Sequence, residues 1–353
     1  MIFLADMPPP VHGMSLVNSY VYDACENECE VKIIDTSPWK KISNPKFFWL
    51  GKFLSFFGAF FRFFCLLRSE KVLYRPINGG VGQVYDLAYL FVARVFKCNI
   101  YLHHHSFNYI NRKSVLFNIL LLVVGGRATH ITLGNEMKYK LQVLYGKRIG
   151  EIVVVSNSAF YKGAGQEIRR FSSPVVIGHM ANLSIEKGLA EFAEVCRSLY
   201  MKKFEFSALI AGPANDEHAK EVLECLLEDV PCVQYVGPVY GAEKFEYFKK
   251  LDCFVFQSSY MNEAEPLVLY EAAEHGVKLY VSRRGCMESV SLRLKGNCYG
   301  EYGSSKLVAD DIIKDLEAGV LNYMSRLERS KNFEEVVRIA KHDFDEIIRE
   351  MCA

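Results

Sequence analysis

The chain predicts an α/β protein of two doubly wound domains, and three observations carry that reading. Short apolar runs alternate with longer amphipathic stretches over almost the whole length. The runs fall into two series separated by a polar stretch at residues 163–173. The length, 353 residues, suits two domains better than one. The first series of strands is expected at 2–5, 31–34, 72–74, 99–102, 130–133 and 152–155, and the second at 175–178, 206–211, 233–237, 253–256 and 278–281. Helical patterns lie between them, among them 186–200 and 219–227, and 332–351 reads as one or two charged helices. Strands that alternate with helices make parallel sheets covered on both faces. The expected bounds are therefore 1–168 for a first domain, 169–330 for a second, and 331–353 for a helical segment that packs back on the first.

Half the residues are hydrophobic and 24% are charged, enough for two cores. That balance excludes a disordered chain, a collagen-like chain and a small disulfide scaffold. The 11 cysteines are scattered, and the only close pair, Cys25 and Cys29, has no second pair or histidine cluster to complete a zinc site. Reduced thiols and a cytoplasmic location, with no leader ahead of the first strand, are the expectation. The net charge of +1 hides an asymmetry: residues 1–170 carry +10 and residues 171–353 carry −9. A basic first half suits an anionic membrane or a phosphorylated acceptor. Residues 46–68, KFFWLGKFLSFFGAFFRFFCLLR, are long enough to cross a bilayer. Lys52 and Arg62 lie inside, each costing about 2.5–3.5 kcal/mol near a bilayer centre. The segment reads instead as a helix at a membrane interface, or one half-buried with an aromatic outer face. A second apolar run, 115–124, is too short to span and reads as a buried helix.

Ligands of doubly wound sheets bind at the carboxyl ends of the strands, so the residues just after each strand matter most. The first strand is followed by Pro8-Pro9-Pro10-Val11-His12-Gly13, a stiff loop in which Gly13 lets backbone approach a ligand. It lacks the spacing of a dinucleotide fingerprint. The fourth strand is followed by His103-His104-His105, expected outside the core, with neighbouring rings on opposite faces. Ser184-Ile185-Glu186-Lys187-Gly188 places a lysine near a helix start, where phosphate could bind. The strongest element is Asn262-Glu263-Ala264-Glu265-Pro266-Leu267-Val268-Leu269-Tyr270-Glu271-Ala272-Ala273-Glu274-His275-Gly276. Pro266 fits a first helical turn, which puts Glu263 in the loop before the helix and Glu271 on its second turn. A loop carboxylate can accept sugar hydroxyls, and a helical carboxylate on an apolar segment needs donors such as a ribose diol.

This ordered set resembles the retaining glycosyltransferases of family 4, which have the GT-B fold: two Rossmann-like domains facing a cleft. The resemblance rests on Glu263 and Glu271, two glutamates with seven residues between them, and on the wording around them. Gly13, the His103 region, Ser156-Asn157, Asn182-Leu183 with Lys187-Gly188, Gly237-Pro238-Val239 and Gly285-Cys286-Met287-Glu288 also follow the family's order. The resemblance implies catalytic roles for His103 and Glu263. It implies a donor site of Gly13, Asn182, Lys187, Val239, Pro266, Leu267 and Glu271, with Glu271 on the ribose, Lys187 on the diphosphate and the backbone near Val239 on the base. His12 and His105 fall on the acceptor side. The implied donor is a nucleotide sugar, UDP-linked before GDP-linked, used without metal or cofactor. The implied acceptor is a glycan, lipid-linked at the inner face of the plasma membrane, as in bacterial enzymes that build O-antigen, capsule or exopolysaccharide. No nucleic acid is expected as a partner. Asn182 departs from the arginine common at that place, so phosphate binding rests more on Lys187, Arg283 or Arg284. That departure also admits a non-catalytic GT-B subunit, and the architecture admits a nucleotide-sugar epimerase.

Overall fold

The computed structural model describes residues 1–9, 13–37, 45–161, 168–171, 173–300 and 303–353, without the side chains of 45–55. His12 and the side chain of Lys52 therefore lie outside what is described. The chain divides into two compact units, Met1–Phe160 with Ala340–Ala353, and Tyr161–Ile339.

The first unit holds β1 (Ile2–Ala5), β2 (Lys32–Asp35), β3 (Val72–Ile77), β4 (Asn99–His104), β5 (Thr129–Thr132) and β6 (Ile152–Val154), in the order β2-β1-β3-β4-β5-β6. The second holds β7 (Val175–Met180), β8 (Phe206–Ala211), β9 (Val233–Gly237), β10 (Cys253–Phe256), β11 (Lys278–Ser282) and β12 (Asn297–Tyr299), in the order β12-β11-β10-β7-β8-β9. Described neighbours pair in parallel, for example Cys253 with Ile177 and His103 with Pro76. Every residue of β1, β10 and β11 is buried, because parallel sheets are covered on both faces. Strand β12 is absent from the sequence expectation; three half-polar residues give no periodic signal.

The pleat sorts side chains between two cores in the second unit. Cys253 and Val255 of β10 pack with Ile177, Ile210 and Phe192. Phe254 and Phe256 point the other way, to Tyr247, Leu269 and Val281. A single helix, Tyr323–Cys352, replaces the one or two helices expected at 332–351. Its early turns belong to the second unit, where Arg326 donates to the His275 carbonyl at 2.9 Å and to Asp252 at 3.1 Å. Its last turns belong to the first unit, where Glu350 accepts from the Tyr101 hydroxyl at 2.9 Å and Phe344 meets Phe160 edge-on at 5.2 Å.

Two helix expectations are corrected. The pattern at 186–200 is not one helix: a turn at Ile185–Lys187 stops at Gly188, and helix Leu189–Met201 starts afresh. Helix Val115–Val124 has the expected bounds but is not buried all round, since Val115, Ile119 and Leu122 are exposed. Helix Pro45–Leu66 covers most of the aromatic segment, with Phe63 buried and Phe61 exposed.

Candidate active site

The order of the second sheet reverses between β7 and β10, and the loops leaving these two strands run together there. Ser259 N–H donates to the Glu186 carbonyl at 2.9 Å, and the Ser258 hydroxyl lies 3.1 Å from the same oxygen. Ser184 caps the turn by accepting from Lys187 N–H at 3.2 Å. Gly188 follows in the left-handed region, φ +90°, and a Cβ there would lie 2.7 Å from the Gln257 carbonyl carbon and oxygen. Only glycine lets the two backbones come this close.

The contact carries the side chains with it. Lys187 Nζ sits 2.7 Å from Glu263 Oε2, and its ammonium lies 4.6 Å from the centre of the Tyr260 ring. The Ser258 hydroxyl is 3.1 Å from the same carboxylate oxygen. Behind this loop, Cys286 N–H donates to the Ala264 carbonyl at 2.8 Å. Gly285, φ +55°, leaves no room for a Cβ, which would lie 2.3 Å from the Glu263 carbonyl oxygen. The turn at Gly285 thus backs the Glu263–Ala264 backbone while the Glu263 side chain faces Lys187.

Pro266 is not in a first helical turn as expected; with ψ 127° it precedes helix Leu267–Glu274 as its N-cap. Its carbonyl still accepts from Leu269 N–H at 3.2 Å. Glu271 stands on the second turn, and its Oε1 meets Lys244 Nζ at 2.6 Å. Glu271 Oε2 is buried and has no hydrogen-bond partner among the described residues. Lys244 has no signal in the sequence, because it comes from another helix, Gly241–Lys250, 27 residues earlier. Val239, on the loop before that helix, packs on the same core as Leu269. Asn182 is exposed on the loop after β7. Arg283 pairs with Glu288 at 2.8 Å, while Arg284 is buried and reaches Met261 Sδ at 3.8 Å. Glu265, two residues from Glu263, turns inward: its side chain is buried, accepts from the Tyr270 hydroxyl at 2.6 Å and lies 3.6 Å from Arg293.

In the first unit two of the three histidines lie inside the core and not outside it, while His105 is half-buried. His103 and His104 are the last residues of β4 and both are buried. The pleat separates them, as expected. His104 is tied inward, with Nδ1 2.8 Å from the Tyr109 hydroxyl and Nε2 2.9 Å from His130 Nδ1. His103 faces the other side, with Nδ1 2.6 Å from the Tyr74 hydroxyl and its ring 4.0 Å from that of His105. His103 Nε2 is buried without a partner among the described residues. Burial, and then the neighbouring imidazoles, hold His103 and His104 well below the ordinary histidine range, so both are neutral near pH 7. Gly13 opens helix Gly13–Glu28, with open space where a Cβ would stand.

Sequence reasoning also missed a buried ion pair beside this strand. Arg75 of β3 donates to Asp86 Oδ1 from Nε at 3.0 Å and Nη2 at 2.7 Å, and from Nη1 to the Leu4 carbonyl at 3.1 Å. Asp86 also accepts from the Asn78 backbone and side chain at 2.9 and 2.8 Å. The signal was available: an arginine next to an apolar strand requires a partner once buried.

Two parallel α/β sheets of this kind make the GT-B fold. Residues 165–319, all of them in the second unit, match the family model for glycosyl transferases group 1, which with this fold makes the chain a glycosyltransferase. Comparison with curated protein sequences finds no match. Solved structures share the fold over almost the whole chain. Sucrose-phosphate synthase from Thermosynechococcus elongatus superposes with a TM-score of 0.73 at 13% identity, covering 99% of this chain and 97% of that one. The lipopolysaccharide outer core galactosyltransferase WaaB, in its apo form, gives 0.70 at 17% identity and 99% coverage of both chains. Anabaena HepE in complex with UDP-glucose gives 0.66 at 15% identity, covering 99% and 97%.

Proposed function

We propose that the protein is a retaining, metal-independent glycosyltransferase of family 4 that moves a sugar from a nucleotide sugar to a glycan acceptor. UDP is the favoured nucleotide, in keeping with the UDP-glucose named for the HepE structure. The acceptor is a lipid-linked glycan of bacterial surface polysaccharide, a reading supported by the sequence resemblance and by the lipopolysaccharide enzyme among the structural neighbours. The enzyme acts from the cytoplasm at the inner face of the membrane.

The Lys187–Glu263 pair at the switch point of the second sheet carries this reading. Both partners keep some contact with solvent, so a ligand can exchange with them. Lys187 offsets the negative charge that grows on the diphosphate as the bond from the anomeric carbon to the β-phosphate oxygen breaks. Glu263, released from the lysine, accepts sugar hydroxyls. Glu271, released from Lys244, accepts the two ribose hydroxyls, and its buried Oε2 gains the partner it lacks. The acceptor oxygen then bonds the anomeric carbon and passes its proton to the departing diphosphate oxygen. His103 is the catalytic histidine of this proposal; as a neutral ring it serves by hydrogen bonding and not as a standing cation. In this reading Asn182, Val239, Pro266, Leu267 and Gly13 serve the donor, and His105 serves the acceptor.

A thermal-shift panel of nucleoside diphosphates and nucleotide sugars on the full chain tests the reading. One nucleotide raises the apparent Tm above the others, and Glu271→Ala removes the effect. No shift with any nucleotide favours the non-catalytic subunit instead. Sugar interconversion without an acceptor would mark an epimerase.

A further inference from the structure

We infer that Tyr74 is a positioning residue for His103: its buried hydroxyl holds the ring as the Nε2–H tautomer, so that His103 meets the substrate as a hydrogen-bond donor and not as a base. Tyr74 Oη and His103 Nδ1 are 2.6 Å apart, and the proton between them can belong to either. The choice follows from what each arrangement leaves behind. Both side chains are buried, and among the described residues each makes this one hydrogen bond. If His103 donates from Nδ1, the Tyr74 proton and the Nε2 lone pair are both left bare. If Tyr74 donates, only the Nε2–H is left bare. One fewer bare buried group favours the second arrangement by about tenfold or more.

The hydroxyl is held where it stands. Tyr74 pairs with Phe3 across β3 and β1, and the two rings stack with centres 4.6 Å apart and planes at 17°. Phe3 in turn meets Tyr22 of helix Gly13–Glu28 edge-on at 5.6 Å. Pro76 pairs with His103, and Pro76 shares a face with Tyr74, so the pleat brings the imidazole to the phenol. The two rings meet edge-on at 5.9 Å. The neighbouring histidine differs. His104 uses both nitrogens inside the core, Nδ1 on the Tyr109 hydroxyl and Nε2 on His130. Of the two buried histidines of β4, only His103 keeps a ring nitrogen for a ligand, and Tyr74 decides what that nitrogen offers.

The inference rests on the transferase reading for one point, the identity of the atom that His103 meets, a sugar hydroxyl oxygen. With Nδ1 accepting from Tyr74 and Nε2 protonated, the neutral ring has no free lone pair. It can hold a hydroxyl oxygen in place but cannot take the acceptor's proton, which leaves the departing diphosphate oxygen to receive it. Burial, and then His105 and His104, hold the ring well below the ordinary histidine range, so near pH 7 protonation does not change this role. The tautomer also sets specificity. A sugar that lacks an oxygen at this place leaves the Nε2–H bare and is disfavoured, whereas one that offers it is held.

The test is a long-range proton–nitrogen correlation spectrum of the full chain with isotope-labelled histidine, recorded near neutral pH without substrate. His103 is assigned by the signals lost in His103→Gln. Wild type is expected to show Nδ1 as an unprotonated nitrogen and Nε2 as a protonated one. In Tyr74→Phe the Nδ1–H form is expected to rise about tenfold, with the signals of the other histidines in place as proof of folding. If that variant does not fold, the chain made with fluorotyrosine in place of tyrosine is read instead, and its more acidic phenol should shift the His103 Nδ1 signal. A wild-type ring protonated on Nδ1, an even mixture of tautomers, a His103 spectrum unchanged by Tyr74→Phe, or an Nδ1 signal unmoved by fluorotyrosine would each overturn the proposal. No nucleotide or sugar enters the measurement, so its failure and the failure of the transferase reading are separate results.

Discussion

The carboxyl edges of the two sheets solve the problem of buried polar chemistry in opposite ways. In the second unit it is carried by full charges, Lys187 with Glu263 and Lys244 with Glu271, which keep some solvent contact. In the first it is carried by neutral imidazoles, His103 and His104, sealed among tyrosines, with His130 beside them. A charged pair near solvent can trade its partner for a diphosphate or a diol. A sealed imidazole has given up its charge to desolvation and offers only hydrogen bonds. A buried charge of the first unit, Asp86, is by contrast enclosed by Arg75 and Asn78.

That contrast can be broken at several points. Asp86→Ala strands the Arg75 guanidinium in the core and should cost about 3–5 kcal/mol, read as a lowered denaturant midpoint. Lys187→Ala should do the reverse: little change in midpoint, but transfer slower by about 10²–10³-fold in a steady-state assay. If Lys187→Ala and Glu263→Ala both keep full rates while folded, the charged edge is not the reacting site. Gly188→Ala forces a Cβ into the Gln257 backbone at positive φ and should cost about 1–3 kcal/mol by thermal unfolding. Acid should act through the imidazoles. Burial lowers His130 and His179 to about 4, against an ordinary value of 6.5. Between pH 6.5 and about 4 the unfolded chain takes up protons that the folded chain refuses. Stability is unaffected above pH 6.5 and falls below it, by about 1 kcal/mol per pH unit for each histidine. A Tm that stays flat across that window would show the rings to be open to water. Ser184→Ala, which removes only a cap, should cost about 1 kcal/mol.

The amount legible in the sequence differs between these regions for a physical reason. The Glu263-to-Glu271 spacing lies within one loop and the helix that follows it, and the lysine before Gly188 lies within one turn, so local order displays them. The inward turn of Glu265 does not show, since Glu263 and Glu265 have the same chemistry and only Tyr270 and Arg293 tell them apart. The histidine run was read correctly for its alternation and wrongly for its burial. Alternation is a property of any strand, whereas burial depends on Tyr74, Tyr109 and His130, from a neighbouring strand, a loop and a second neighbouring strand. The exposed row on Val115–Val124 was misread for the complementary reason: an apolar run describes a helix but not what covers its outer side.

By itself the sequence determined the class of the fold, because the alternation of strand and helix periods is written residue by residue and parallel sheets leave few topologies. It also determined the order of the loops at the strand ends. The tertiary structure alone decided which charges meet: Lys187 with Glu263, Lys244 with Glu271, Arg75 with Asp86. These partners lie 76, 27 and 11 residues apart, and no local rule fixes a contact that a crossover helix must first bring into place.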